Sequence, residues 1–158
     1  MRHILFALIL GVTTNVSAES EGIVGKVVEN GKTILYAFDN YLPTEDVIGR
    51  FPALVVISWH YEGEANKGMP TPSDLELIYG FESVLDDLAE QGSGFRAYTK
   101  TGNNVREFVY YTVSQDFYLD ALNKALAEHP RYPLKITFYS DPNWSDYKEL
   151  MADFSKDH

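Results

Sequence analysis

Cysteine is absent from all 158 residues. That excludes disulfides, iron–sulfur clusters, thiolate zinc sites and a cysteine nucleophile, each of which needs the sulfur itself. Disulfides matter most where a core is too small to hold alone; a chain of this length buries roughly two-thirds of its unfolded surface and needs no such staple. Basic charge is scarce as well: 13 Lys+Arg stand against 23 Asp+Glu, a formal net charge of −10. An acidic surface repels phosphate backbones and anionic lipid, so neither nucleic acid nor a membrane surface is an expected partner, and solubility is the plain reading of the charge. There is no Gly-x-Ser-x-Gly elbow, no phosphate-cradling glycine loop, no internal repeat and no low-complexity segment.

What is present begins with the pattern expected of a secretory leader. Arg2 and His3 give a short positive start, residues 4–10 are apolar, and Val16-Ser17-Ala18 is a small-residue cleavage site. The alternative is a membrane anchor, but the apolar run is about half of the roughly 20 residues a spanning helix needs. No cysteine follows the site, which excludes lipid anchoring there. Cleavage after Ala18 predicts one globular domain over residues 19–158, periplasmic or secreted, with no membrane span left after processing.

That domain is organised around residues 51–70, where an apolar run feeds a polar loop and then a helix start. Residues 53–59, ALVVISW, are apolar on both alternating faces, as expected of a strand covered on both sides. Before them, two β-prone runs at 23–28 and 33–38 flank Asn30-Gly31, a strong type I′ hairpin signal. Residues 40–51 show no period and read as a connector. After the loop, Thr71-Pro72-Ser73-Asp74 is a capped helix start, and Leu75, Ile78, Phe81, Leu85 and Leu88 form an apolar stripe that ends at Gly92. Strands are predicted at 95–100 and 105–113, a helix at 115–128 capped by Ser114, a strand at 134–140, and a last helix opening at Asp141-Pro142. The order is strand, helix, strand, strand, helix, strand. It predicts an α+β fold, a ferredoxin-like βαββαβ sandwich with an N-terminal β-hairpin extension and an extra C-terminal helix.

Two places are candidates for function. If Leu134, Ile136 and Phe138 face the two helices, then Lys135, Thr137 and Tyr139 face away. Arg96, Tyr98 and Lys100, with Arg106, Phe108 and Tyr110, are placed beside them. In an RNA-recognition domain such a basic, aromatic platform stacks bases, but the net charge and the expected export oppose that here. Either the final helix or the hairpin folds across this face, or it stays partly open and binds a peptide or protein through Arg96, Tyr98, Arg106, Tyr110 and Tyr139. The second place is the loop His60, Glu62, Glu64, Gly68, Met69 and Pro70. His60, Glu62 and Glu64 alternate, and a continuing strand would put all three on one side as nitrogen and oxygen donors for a divalent metal. No partner histidine is evident and Gly63 breaks the strand, so a solvated acidic loop is the simpler reading and no metal or other cofactor is assigned. Asp86-Asp87 reads as a solvated helix face, and Asp141 as a helix cap rather than a catalytic acid.

Three stretches carry a family resemblance: Gly68-Met69-Pro70 before an acidic helix, Arg106-Glu107-Phe108-Val109-Tyr110-Tyr111 in a strand, and Asp141-Pro142-Asn143-Trp144 with Tyr147. Through them, from about residue 33 to residue 154, the chain resembles the domain-of-unknown-function family 695. That family looks similar in its C-terminal half to the ribonuclease E inhibitor B-like family, which implies a ferredoxin-like fold. The resemblance implies no activity, cofactor or catalytic residue, and an inhibitor of a cytoplasmic ribonuclease would be out of place behind a leader. Two expectations therefore stand: an exported, non-enzymatic binding or regulatory module, or a hydrolytic or metal-dependent enzyme centred on His60, Glu62 and Glu64.

Overall fold

The structure, a computed structural model, describes residues 8–11 and 22–155. The expected leader and its cleavage site fall almost wholly outside these residues. Of that stretch only the backbone of β1, Leu8–Gly11, is described, lying antiparallel along β2.

The sheet proper has six antiparallel strands: β2 (Gly22–Glu29), β3 (Lys32–Asp39), β4 (Ala53–His60), β5 (Gly94–Gly102), β6 (Val105–Thr112) and β7 (Leu134–Ser140). Its order is β2-β3-β5-β6-β4-β7, with β1 added outside β2. The segment from β4 to β7 is the expected βαββαβ unit, with β4 and β6 central. The N-terminal hairpin lengthens the sheet beyond β5 rather than crossing its face. Asn30 and Gly31 both have positive φ, 50° and 78°, as the type I′ turn demands. Asn103 and Asn104 do the same between β5 and β6, at 51° and 68°.

Helix α2 (Pro72–Glu90) has a full capping box: the Thr71 hydroxyl accepts from the Asp74 N–H at 3.2 Å, and the Asp74 carboxylate accepts from the Thr71 N–H at 2.9 Å. Such a cap is worth about 1 kcal/mol. Ile78, Phe81, Leu85 and Leu88 are buried against the sheet, together with Tyr118 and Leu122 of α3 (Gln115–Ala125). Helix α3 ends three residues short of the expected 128, and the chain continues as tight turns before Pro130. Residues 40–51 are not a plain connector: they contain α1 (Glu45–Arg50), with acidic side chains in its first turn and Arg50 in its last, matching the helix dipole. Six residues are too few to show a period; Ile48 is buried in the core and Val47 packs against it.

The second sheet face carries α4 (Ser145–Ser155), which buries Tyr147, Leu150 and Phe154. Trp144, just before it, stacks on Tyr111 with ring centroids 4.2 Å apart and planes 9° from parallel. Its indole N–H donates to the Phe51 carbonyl at 2.8 Å. Each such buried aromatic contributes roughly 1.5–3 kcal/mol over its exposed state. At the far end of α4 the Phe154 ring lies over Gly25 so closely that a Cβ there would collide with it.

Candidate functional site

The register settles which side chains share a face. Phe108 lies opposite Ile57, and Ile57 opposite Ile136; Tyr110 lies opposite Val55, and Val55 opposite Phe138. Arg106, Phe108 and Tyr110 therefore face α2 and α3, not the second face where the alternation of the sequence placed them. Arg96 goes with them, opposite Tyr110, because a bulge between Arg96 and Tyr98 reverses the parity of β5. Tyr98, Lys100 and Tyr139 keep the second face. The expected partner surface of Arg96, Tyr98, Arg106, Tyr110 and Tyr139 is thus split across the sheet.

On the α2 side these residues build a charged cluster. Glu82, one turn from Ile78 on the apolar stripe of α2, is buried. Its carboxylate accepts from Arg96 Nη2 at 2.9 Å and from Arg106 Nη2 at 2.8 Å. Asp86 is not simply a solvated residue: it accepts from the Tyr110 hydroxyl at 2.8 Å and pairs with Arg96 at 3.2 Å. Burial, reinforced by Asp86, pushes the Tyr110 phenol far above its ordinary range, so it stays a donor. Arg106 also donates to Thr101 at 2.9 Å and lies over the Phe108 ring at 5.4 Å. The carboxylates of Glu82 and Asp86 are each held by partners on the sheet, and the cluster fixes helix to sheet; within it the buried Arg106 Nε has no hydrogen-bond partner among the described residues. A carboxylate inside an apolar stripe was the sequence signal for it.

The 60–70 loop is also held by internal bonds. The Tyr61 hydroxyl donates to the Gly68 carbonyl at 2.9 Å, the Asn104 N–H donates to the same carbonyl at 2.9 Å, and the Gly68 N–H donates to Gly63 O at 2.7 Å. Burial pushes the Tyr61 phenol up to about 12. Gly68, at φ 83°, packs where a Cβ would lie 2.9 Å from Asn103 N. Asn66 closes the loop by donating to Met69 O at 3.3 Å and Pro70 O at 3.1 Å. Asn104 and then Lys32 hold the exposed Glu64 carboxyl below its usual range. His60 and Glu62 are exposed. Among the described residues no group of three histidine, aspartate or glutamate side chains could hold a metal ion. His60, Glu62 and Glu64 form no such group, so a metal site on this loop has no ligand set among the described residues.

The open place lies on the second face, beside α4. A groove runs there between β7 and the start of α4, floored by Leu54 and Val56 and walled by Tyr98, Glu107, Tyr139, Asp141, Asp146 and Glu149. Tyr139 is 55% exposed, whereas Tyr36, Tyr98 and Tyr111 on the same sheet face are buried. Four carboxylates line the groove and no basic side chain does. Asp141 is the helix cap, accepting from the Ser145 N–H at 2.9 Å, the Asp146 N–H at 3.0 Å and the Tyr111 hydroxyl at 2.7 Å. Burial alone would raise its carboxyl, but these bonds outweigh burial and hold it below the usual range, so it stays charged. Asp146 accepts from the Tyr98 hydroxyl at 2.8 Å. Glu107 and Glu149 have no ion-pair partner among the described residues. Of the groove, only Tyr98 and Tyr139 were indicated by the sequence. Its carboxylates come from β6, the turn after β7, and α4, and only the fold brings them together.

Among the described residues no helix is long and apolar enough to cross a membrane. No curated protein and no solved structure gives a significant match to the chain. A family model matches residues 26–151, and the chain belongs to that family, a family of unknown function designated DUF695.

Proposed function

We propose that this protein is an exported, non-enzymatic binding module that engages a protein or peptide partner through the open part of its second sheet face. One observation carries the reading. Helix α4 buries the β2–β3–β5 side of that face and leaves a groove on the β4–β7 side with an apolar floor and an exposed aromatic residue, Tyr139. Apolar floor, aromatic anchor and polar rim are the composition of an interface. The carboxylates of the polar cluster on the α2 side are engaged by Arg96, Arg106 and Tyr110, which supports recognition over catalysis. Export rests on the leader pattern of residues 1–18. A kinship of the C-terminal half with ribonuclease E inhibitor B-like proteins agrees with a role in binding, while the compartment points to a target other than a cytoplasmic ribonuclease.

The test places a photo-reactive benzoylphenylalanine at Tyr139 and, as a control, at Leu77, which is 59% exposed on α2. Irradiation in the producing cells should give a discrete adduct from position 139 and none from position 77. The same adducts from both positions, or none from 139, would refute the reading.

A further inference from the structure

Strand β7 ends the sheet, and no strand among the described residues pairs with its outer side. Its inner side is identifiable from the bonds that flank it. The Asp141 N–H donates to Pro52 O at 2.9 Å and the His60 N–H donates to Pro133 O at 3.5 Å. In an antiparallel ladder the backbone groups alternate sides. The odd-numbered residues of β7 thus face β4, and Ile136, Phe138 and Ser140 point their N–H and C=O groups outward. Edges of this kind are ordinarily blunted by proline, bulges or several charges. Here there is neither proline nor bulge, Lys135 is the one charge, and Ile136 and Phe138 are only half-buried.

We infer that the outer edge of β7 accepts an extended segment of a partner as an added strand, with apolar and basic side chains alternating along it. This rests on the proposed binding face and names the chemistry of its partner. Successive side chains of an added strand point to opposite faces. One set would cover Ile136 and Phe138 on the α2–α3 side. The other would lie along Thr137 and Tyr139, beyond Lys135 at the start of the same face, toward a groove in which Glu107 and Glu149 have no ion-pair partner among the described residues. Charge complementarity selects Lys or Arg for that second set. It also disfavours a second copy of this chain, which brings a net charge of −10 of its own.

The probe is a capped hexapeptide of alternating valine and lysine, titrated onto the full chain and followed by calorimetry and amide hydrogen exchange. The valine–glutamate counterpart is the control. The valine–lysine peptide should bind, the control should not, and the Ile136, Phe138 and Ser140 amides should become protected. Ser140→Pro removes one outward donor while sparing the β4 ladder, and should weaken binding about fivefold, as expected for one lost hydrogen bond. Glu149→Lys should weaken it by a similar factor at low salt and by less at about 0.5 M salt. Binding that Ser140→Pro leaves unchanged, or that protects none of the three amides, would overturn strand addition. So would a dimer in sedimentation that Ser140→Pro dissociates, because the edge would then belong to a second copy. If the peptide fails while position 139 still gives its specific adduct, the inference falls and the proposed function stands; if both fail, both fall.

Discussion

Removing a single oxygen should loosen α4. Tyr111→Phe keeps the ring that stacks on Trp144 and deletes the hydroxyl that donates to Asp141 at 2.7 Å and accepts from the Tyr147 N–H at 3.3 Å. Tyr111 is fully buried, so water does not simply replace the lost partner. A hydrogen bond to a charged group contributes about 1.5–3 kcal/mol, and the orphaned Tyr147 N–H adds to the loss, so about 2 kcal/mol is expected. At this size that lowers Tm by about 4–8 °C. The effect should depend on pH. Asp141 has a depressed carboxyl pKa in the folded chain, so its stabilisation is fully present above the unfolded value of about 3.9 and disappears as pH falls through the folded one. The gap between wild type and variant should be constant from about pH 7 to 5 and narrow below about pH 4. Urea unfolding followed by tryptophan fluorescence measures it, since Trp144 lies against the altered ring. A gap under about 0.5 kcal/mol, unchanged between about pH 7 and 3, would show that the hydroxyl does not hold the helix.

Two further substitutions address the other bonded clusters. Glu82→Ala leaves the Arg96 and Arg106 guanidinium groups without their shared carboxylate, and should cost about 3 kcal/mol in urea unfolding; Glu82→Leu combined with Arg106→Met should recover most of it, because a buried pair replaced by apolar side chains is often neutral. Gly68→Ala should destabilise more than Gly31→Ala, by at least about 1 kcal/mol: both sites have positive φ, but the added methyl meets Asn103 backbone at Gly68 and open space at Gly31.

The ferredoxin-like order was legible because its signals are local. Asn30-Gly31, the Thr71–Asp74 cap and the stripe on α2 each depend on residues a few positions apart. The face assignment failed where the deciding information is long-range. In β6, Phe108 and Tyr110 alternate with Val109 and Tyr111, and both sets are buried, so alternation gives no parity. Only the register against Ile57 and Val55 decides it. In β5 one extra residue between Arg96 and Tyr98 turns a correct placement of Tyr98 into a wrong one for Arg96. The groove beside α4 has no linear signature at all, since β6, β7 and α4 contribute its walls from separate parts of the chain.

The three stretches that carry the family resemblance now have physical roles, and all three are structural. Gly68 accepts from Tyr61 and Asn104 and locks the loop that delivers α2. Arg106 and Tyr110 pin α2 to the sheet through Glu82 and Asp86. Tyr111, Asp141, Trp144 and Tyr147 seat α4, with Tyr147 reaching across to donate to the Asp39 carbonyl at 2.6 Å. Side chains spent on mutual hydrogen bonds are poorly placed to bind anything else, because engaging a ligand would first break those bonds. Under the proposed function, recognition uses what the scaffold leaves unbonded. Among the described residues, β7 and the groove beside it offer the outward backbone of Ile136, Phe138 and Ser140, the exposed ring of Tyr139, and the carboxylates of Glu107 and Glu149. In this chain the residues that mark the family build the frame, and the proposed binding surface lies beside it.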